Sequence, residues 1–167
     1  PLLIHFWYPT EENLEKELYS FKNYIDLISL REEFSKPASE LDNNSFNFIN
    51  AYAGFAKNNF GVDTSLSTVD ILNYPVLAHD GADIAKSKQK FPLIIYAPSN
   101  SKSSIQNHII CEYLASNGYM VISVGSAGVN SLNRKNDHKS IITQVDDMEY
   151  ILKFFKDNLN FKYSDYI

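Results

Sequence analysis

Apolar runs of strand length alternate with stretches of helical periodicity along this chain. Residues 2–8, Leu-Leu-Ile-His-Phe-Trp-Tyr, predict a strand that stops at Pro9. Across 11–34, Leu14, Leu18, Phe21 and Ile25 recur at the i, i+4, i+7, i+11 spacing of one helix face. Pro37 and Asp42-Asn43-Asn44 interrupt that pattern. A second helix is expected over about 45–58, with Phe46, Ile49, Ala53 and Phe55 near one face and Gly61 behind it. A short helix fits 67–73, before Tyr74-Pro75, and Lys86-Ser-Lys-Gln-Lys90 reads as a solvated turn.

The second half has stronger signals. Phe91-Pro-Leu-Ile-Ile-Tyr-Ala97 is almost continuously apolar, as a strand buried on both faces of a parallel sheet would be, and Pro98 ends it. Ser103 and Gln106 match a capping box and predict a helix opening there, with Ile105, Ile109 and Tyr113 or Leu114 as its apolar stripe. Asn117-Gly118 is a helix stop, and Tyr119–Val124 predicts the next buried strand. After a polar loop at 125–137, a last helix over about 139–157 is expected to turn Ile141, Val145, Met148, Leu152 and Phe155 to one side. The order is strand, helical insert at 10–85, then a βαβα unit at 91–159. That is an α/β pattern with a mainly parallel sheet, whose ligand loops sit at the carboxyl ends of the strands, here 98–103 and 125–137.

Composition narrows the class. With 167 residues and 44% hydrophobic content the chain suits one globular domain. Net charge of -5 and the lack of a Lys/Arg run argue against a nucleic-acid partner. The single cysteine, Cys111, excludes an internal disulfide and a cysteine zinc site, and a buried thiol is expected. No segment is apolar and long enough to span a bilayer. Pro1 leads straight into a strand-like run without an initiator Met or signal peptide, as in a segment of a longer open reading frame, so localisation stays open.

The stretch from Phe91 to Asn100, and then Cys111 to Ser123, resembles the platelet-activating-factor acetylhydrolase and dienelactone-hydrolase-like branch of the α/β-hydrolases. The helix end Leu114-Ala-Ser-Asn-Gly-Tyr119 matches that branch's L-A-S-x-G-[YF], and Phe6-Trp-Tyr-Pro9 its W-Y-P strand end. Asp146-Asp147, followed by Tyr163-Ser-Asp-Tyr-Ile167, is similar to the lead-in to the nucleophile strand. The likeness covers about 90–167 and 2–9, and most of 10–85 lies outside it. It implies a partial α/β-hydrolase sheet in one domain, 1–167, with Ser99 in the oxyanion loop and the Asn100 backbone N–H as a donor. Pro98-Ser99 stand where the family often has His-Gly. No G-x-S-x-G occurs, and Gly125-Ser-Ala-Gly128 has the wrong spacing for a nucleophile elbow. Nucleophile, acid and catalytic histidine are therefore expected outside this chain.

Other chemistry is less well supported by the residues. Lys102-Ser103 after a strand suggests a P-loop, but Tyr96 and Ser101 occupy its glycine positions. Of the four histidines, His5 and His108 fall in regular elements and His79 and His138 near turns, with no i, i+4 zinc pair. Asp80-Gly-Ala-Asp83 is a fragment of a calcium loop without its closing Glu, and reads as a plain turn. Asp146 and Asp147 suit a solvated helix face. The aromatic insert around Phe46, Phe48, Tyr52, Phe55 and Phe60 reads as ordinary packing, with an acyl pocket as the alternative. The resemblance implies a serine hydrolase of esters or related acyl bonds, without metal or organic cofactor. Its partners would be a small acyl substrate and the remaining C-terminal part of the domain. This chain alone is expected to be inactive. The competing expectation is an α/β-hydrolase-like module used for binding or structure without a working triad.

Overall fold

Proline and glycine mark where the regular elements stop. A computed structural model describes residues 4–11, 18–29, 47, 49, 50, 53, 54, 57–59, 61, 67–79, 81–99, 103–125, 138–158 and 164–166. In chain order the elements are strand β1 (Ile4–Trp7), strand β2 (Leu18–Ser20), helix α1 (Phe21–Ser29), helix α2 (Thr68–Leu72), strand β3 (Pro75–His79), strand β4 (Leu93–Tyr96), helix α3 (His108–Ser116), strand β5 (Met120–Val124) and helix α4 (His138–Asp157). The described residues between 47 and 59 are also helical, and Gly61, at φ 64°, follows them with its N–H donating to Lys57 O at 3.1 Å. The chain divides into two units, Pro1–Lys16 with Gly81–Ile167, and Glu17–Asp80.

The first unit holds a three-stranded sheet in the order β1-β5-β4. β4 runs parallel to β5, and β1 is antiparallel to it. The architecture is mixed α/β with a small, partly parallel sheet. The expectation of a mainly parallel sheet is corrected, because the strand that begins the chain enters β5's free edge in the opposite sense.

Register assigns the faces. His5 and Trp7 lie opposite Ser123 and Val121, while Ile4 and Phe6 lie opposite Val124 and Ile122. The second set forms the core with Ile151 and Phe155 of α4, supported by Leu93 and Phe154. Phe6 meets Phe155 edge-on at 6.0 Å between centroids. On the other face α3 packs against β5 and β1, burying Cys111 and Ala115. β5 therefore has a strand on each edge and a helix on each face, and all five of its residues are buried. The burial expected of 91–97 on both faces is corrected: β4 is half-buried throughout. Among the described residues it lies at the sheet edge, beside β5.

The buried faces of α3 and α4 follow their spacing only in part: Ile105, in the turn before α3, and Phe155 are buried as expected. α3 buries Cys111, Glu112 and Ala115, and Ile109 and Tyr113 are 69% and 64% exposed. α4 buries Ile151 and Phe155, and leaves Ile141, Val145 and Leu152 exposed. Periodicity finds an apolar stripe; the sheet chooses which stripe it covers. The helix stop is as expected. Gly118, at φ 87°, donates to Ala115 O and Tyr119 N–H to Leu114 O, the paired bonds of a Schellman end.

In the second unit the predicted helix over 11–34 is interrupted. Leu18–Ser20 is a strand paired antiparallel with β3, and its backbone bonds outrank the helical spacing of Leu18. α1 begins at Phe21, where the Asn23 side-chain oxygen accepts from Ser20 N–H at 2.8 Å and from the Ser20 hydroxyl at 3.0 Å. Among the described residues of this unit, Tyr24, Ile25, Ile49, Leu72 and Val76 are buried apolar residues. The short helix expected at 67–73 is present as α2, closed by a Ser67–Asp70 capping box. Those Ser67 hydrogen bonds, side chain first and backbone second, hold the Asp70 carboxyl below its usual range. Phe46, Phe48, Tyr52, Phe55 and Phe60 lie outside the described residues. No described helix is long and apolar enough to cross a membrane.

Candidate functional site

The carboxyl ends of β4 and β5 carry the candidate site. β4 runs out through Ala97, Pro98 and Ser99, and three side chains hold this exit. Gln106 accepts from Ser99 N–H at 2.6 Å, and its amide donates to the Ser99 hydroxyl at 2.8 Å. Gln144, from α4, donates to Pro98 O at 2.9 Å. Asn107 donates to the Tyr96 hydroxyl at 2.7 Å. The Ser99 N–H is thus already committed to Gln106, so Ser99 serves the loop as an anchor point. Asn100, the oxyanion donor expected from the resemblance, lies outside the described residues, as does Lys102 of the P-loop alternative.

The use of Gln106 corrects a sequence expectation. Ser103 and Gln106 do not form a capping box. Turns occupy 104–107, α3 starts at His108, and its N-cap is Asn107 at φ 60° with no side-chain cap bond. The glutamine reaches back to the strand exit instead of to Ser103. Asn tolerates the left-handed conformation better than most residues, which explains its place at this junction.

Behind the exit lies a buried polar contact. His5 Nδ1 and Ser104 Oγ are 2.7 Å apart and share a hydrogen bond. Ser104 is 1% exposed and His5 6%. The His5 ring stacks on Trp7 at 5.6 Å. Burial drops the imidazole pKa to about 4, so the ring is neutral at pH 7. Gly125 closes the same spot from the end of β5. A Cβ built there would stand 3.0 Å from Ser104 N and 3.2 Å from Ser104 Cβ, so a side chain at this position meets Ser104 tightly and glycine relieves the approach. Ser123, opposite His5, is fully buried beside this contact.

A serine hydrogen-bonded to histidine is the first half of a nucleophilic triad. Here the hydroxyl is enclosed by His5, the Gly125 backbone and its own turn, so no substrate carbonyl reaches it. The pair is a structural contact. Sequence spacing gives no sign of it, because the two residues are separated by almost a hundred positions and each is unremarkable in its own element. Comparison with family models, curated proteins and solved structures finds no match to this chain.

The remaining candidates separate. His79 ends β3, His108 opens α3 and His138 opens α4. Among the described residues no three His, Cys, Asp or Glu side chains cluster so as to hold a metal. Cys111 is a free, buried thiol, its pKa pushed up to about 11, chiefly by burial and then by the charge of Glu112. At 81–84 the chain is tied to β1's exit: Ala82 O accepts from the Tyr8 hydroxyl at 2.8 Å, and Ile84 bridges Thr10. Ser164–Tyr166, expected to lead into a strand, is a single 3-10 turn whose Tyr166 O accepts from Phe91 N–H at 2.7 Å.

Proposed function

We propose that this chain is the N-terminal part of an α/β-hydrolase-type serine hydrolase cleaving an ester or related acyl bond, and that it supplies the oxyanion loop. The observation that supports this is the parallel β4–α3–β5 unit, whose first loop leaves the carboxyl end of β4 with its stem fixed by Gln106 and Gln144. Oxyanion stabilisation needs N–H donors that do not reorganise during reaction, and the fixed stem at Pro98 and Ser99 supports such a use. Asn100 is the proposed donor, through its backbone. The proposal requires a G-x-S-x-G serine and its histidine and acid outside residues 1–167, because this sequence contains no such elbow. That serine would attack the acyl carbon, the histidine would take and return its proton, and the developing oxyanion would be met by the Asn100 N–H.

The test compares two substitutions in the full-length protein with a chromogenic short-chain ester. Asn100→Ala keeps the N–H and is expected to keep most of the activity. Asn100→Pro removes it and is expected to lower kcat roughly 100- to 1,000-fold in a variant shown to be folded. Equal, severe loss from both would assign the role to the side chain. Absence of a serine elbow from the full-length protein would favour the non-catalytic binding or structural module.

A further inference from the structure

We infer that His5 is a positioning residue for the contact between Ser104 and Gly125 at the carboxyl end of the sheet, acting through Ser104. The inference rests on the proposed use of the 98–103 loop in catalysis, but its physical content is independent of that use. Ser104 directly follows this loop in the chain, and Gly125 is the first residue of the 125–137 stretch. The two meet at van der Waals limit, with 3.0 Å between Ser104 N and the position of a Gly125 Cβ. One buried hydrogen bond, His5 Nδ1 to Ser104 Oγ at 2.7 Å, fixes the serine side of that contact to β1. β1 is itself locked to β5 by pairing from Ile4–Val124 to Trp7–Val121, so the histidine refers the loop stems to the rigid centre of the sheet.

Apolar packing alone would not do this. A hydrophobic residue at position 5 fills space but tolerates sliding of the 104–107 turn, whereas a hydrogen bond in a site this dry fixes distance and direction. Losing it leaves a buried hydroxyl without its partner, and the turn must move to find another. Gln106, two residues on, carries that movement to Ser99. Displacements of an ångström at a donor loop are enough to reduce turnover strongly.

The test uses backbone amide exchange and turnover in the full-length protein, with His5→Phe, His5→Asn and Ser104→Ala. Asn presents an amide atom close to the place of Nδ1, and Phe presents none. In His5→Phe, exchange at Ser104 and Gln106 should speed up roughly tenfold or more, while Val121 and Ile122 in β5 stay protected. His5→Asn should restore most of the protection. If His5→Phe does not fold, Ser104→Ala breaks the same bond by deletion only and should loosen the same amides. Unchanged exchange at Ser104 and Gln106 in either folded variant overturns the inference. In the ester assay, kcat should fall roughly 10- to 100-fold with KM nearly constant, and His5→Asn should recover it. Loosened amides with unaltered kcat would refute the link to catalysis. A wild-type protein without ester turnover would refute the proposed function instead, while exchange would still decide whether His5 holds that contact.

Discussion

At residue scale the sharpest consequences come from His5 and Gly125. The folded pKa of His5 is about 4, below its ordinary value of 6.5, with burial as the cause. Between these values the unfolded chain binds more protons than the folded one, so stability rises with pH across this window. Stability is undiminished above about pH 6.5 and declines as pH falls toward about 4, where the loss amounts to roughly 3 kcal/mol. Urea unfolding from pH 4 to 7 should show this slope, and His5→Asn should flatten it; an unchanged slope would mean the imidazole is not held neutral. At Gly125 a methyl group meets backbone, which cannot swing aside. Gly125→Ala is expected to destabilise by about 1–3 kcal/mol, seen as a lower midpoint in the same titration. A neutral result would show that the two loop stems are not in close contact.

The elements differ in how far their burial follows from spacing. Ile122 is fully buried in the middle of β5 and packs in the α4-side core, whereas Ile109 of α3 is largely exposed. Sequence periodicity ranks both as core. Thermal or urea denaturation of Ile122→Ala should show a loss of about 2–5 kcal/mol, because a cavity is left between the sheet and α4. Ile109→Ser should change stability by no more than about 0.5 kcal/mol, as surface substitutions do. Comparable losses from both would mean that α3 is rotated from the position described above. The capping boxes make a similar contrast. Ser67–Asp70 forms one, as S-x-x-acid spacing permits, but Ser103–Gln106 does not, because Gln106 finds Ser99 within reach only once β4 and α3 are placed.

For the whole molecule, the sheet's unequal edges matter most. β1 covers one side of β5, while β4, with four apolar or aromatic residues, Leu93–Tyr96, lies at an edge among the described residues. α3 and α4 also carry exposed apolar side chains, Ile109, Tyr113, Ile141 and Val145 among them. Unpaired backbone beside apolar side chains favours strand addition between molecules. Residues 1–167 expressed alone are expected to self-associate and to lack ester turnover. Sedimentation across a concentration series, with the chromogenic ester assay alongside, checks both, and a stable monomer would show that the edge is protected.

Much of the local structure was legible in the sequence. Pro9 and Pro98 closely follow strand ends, Asn117-Gly118 stops α3, and apolar runs of strand length locate β1, β4 and β5, because these signals depend on backbone sterics and neighbouring residues alone. Leu18–Ser20 has the spacing of a helix in the sequence but forms a strand, because that strand exists only through pairing with a segment more than fifty residues away. The same distance dependence governs the sheet order, which makes β5 rather than β4 the enclosed strand, and the choice of buried face on α3 and α4. It also governs the contact of His5 with Ser104. Periodicity reports which residues prefer to leave water; only the folded chain decides which of them have somewhere to go, and which polar groups meet there.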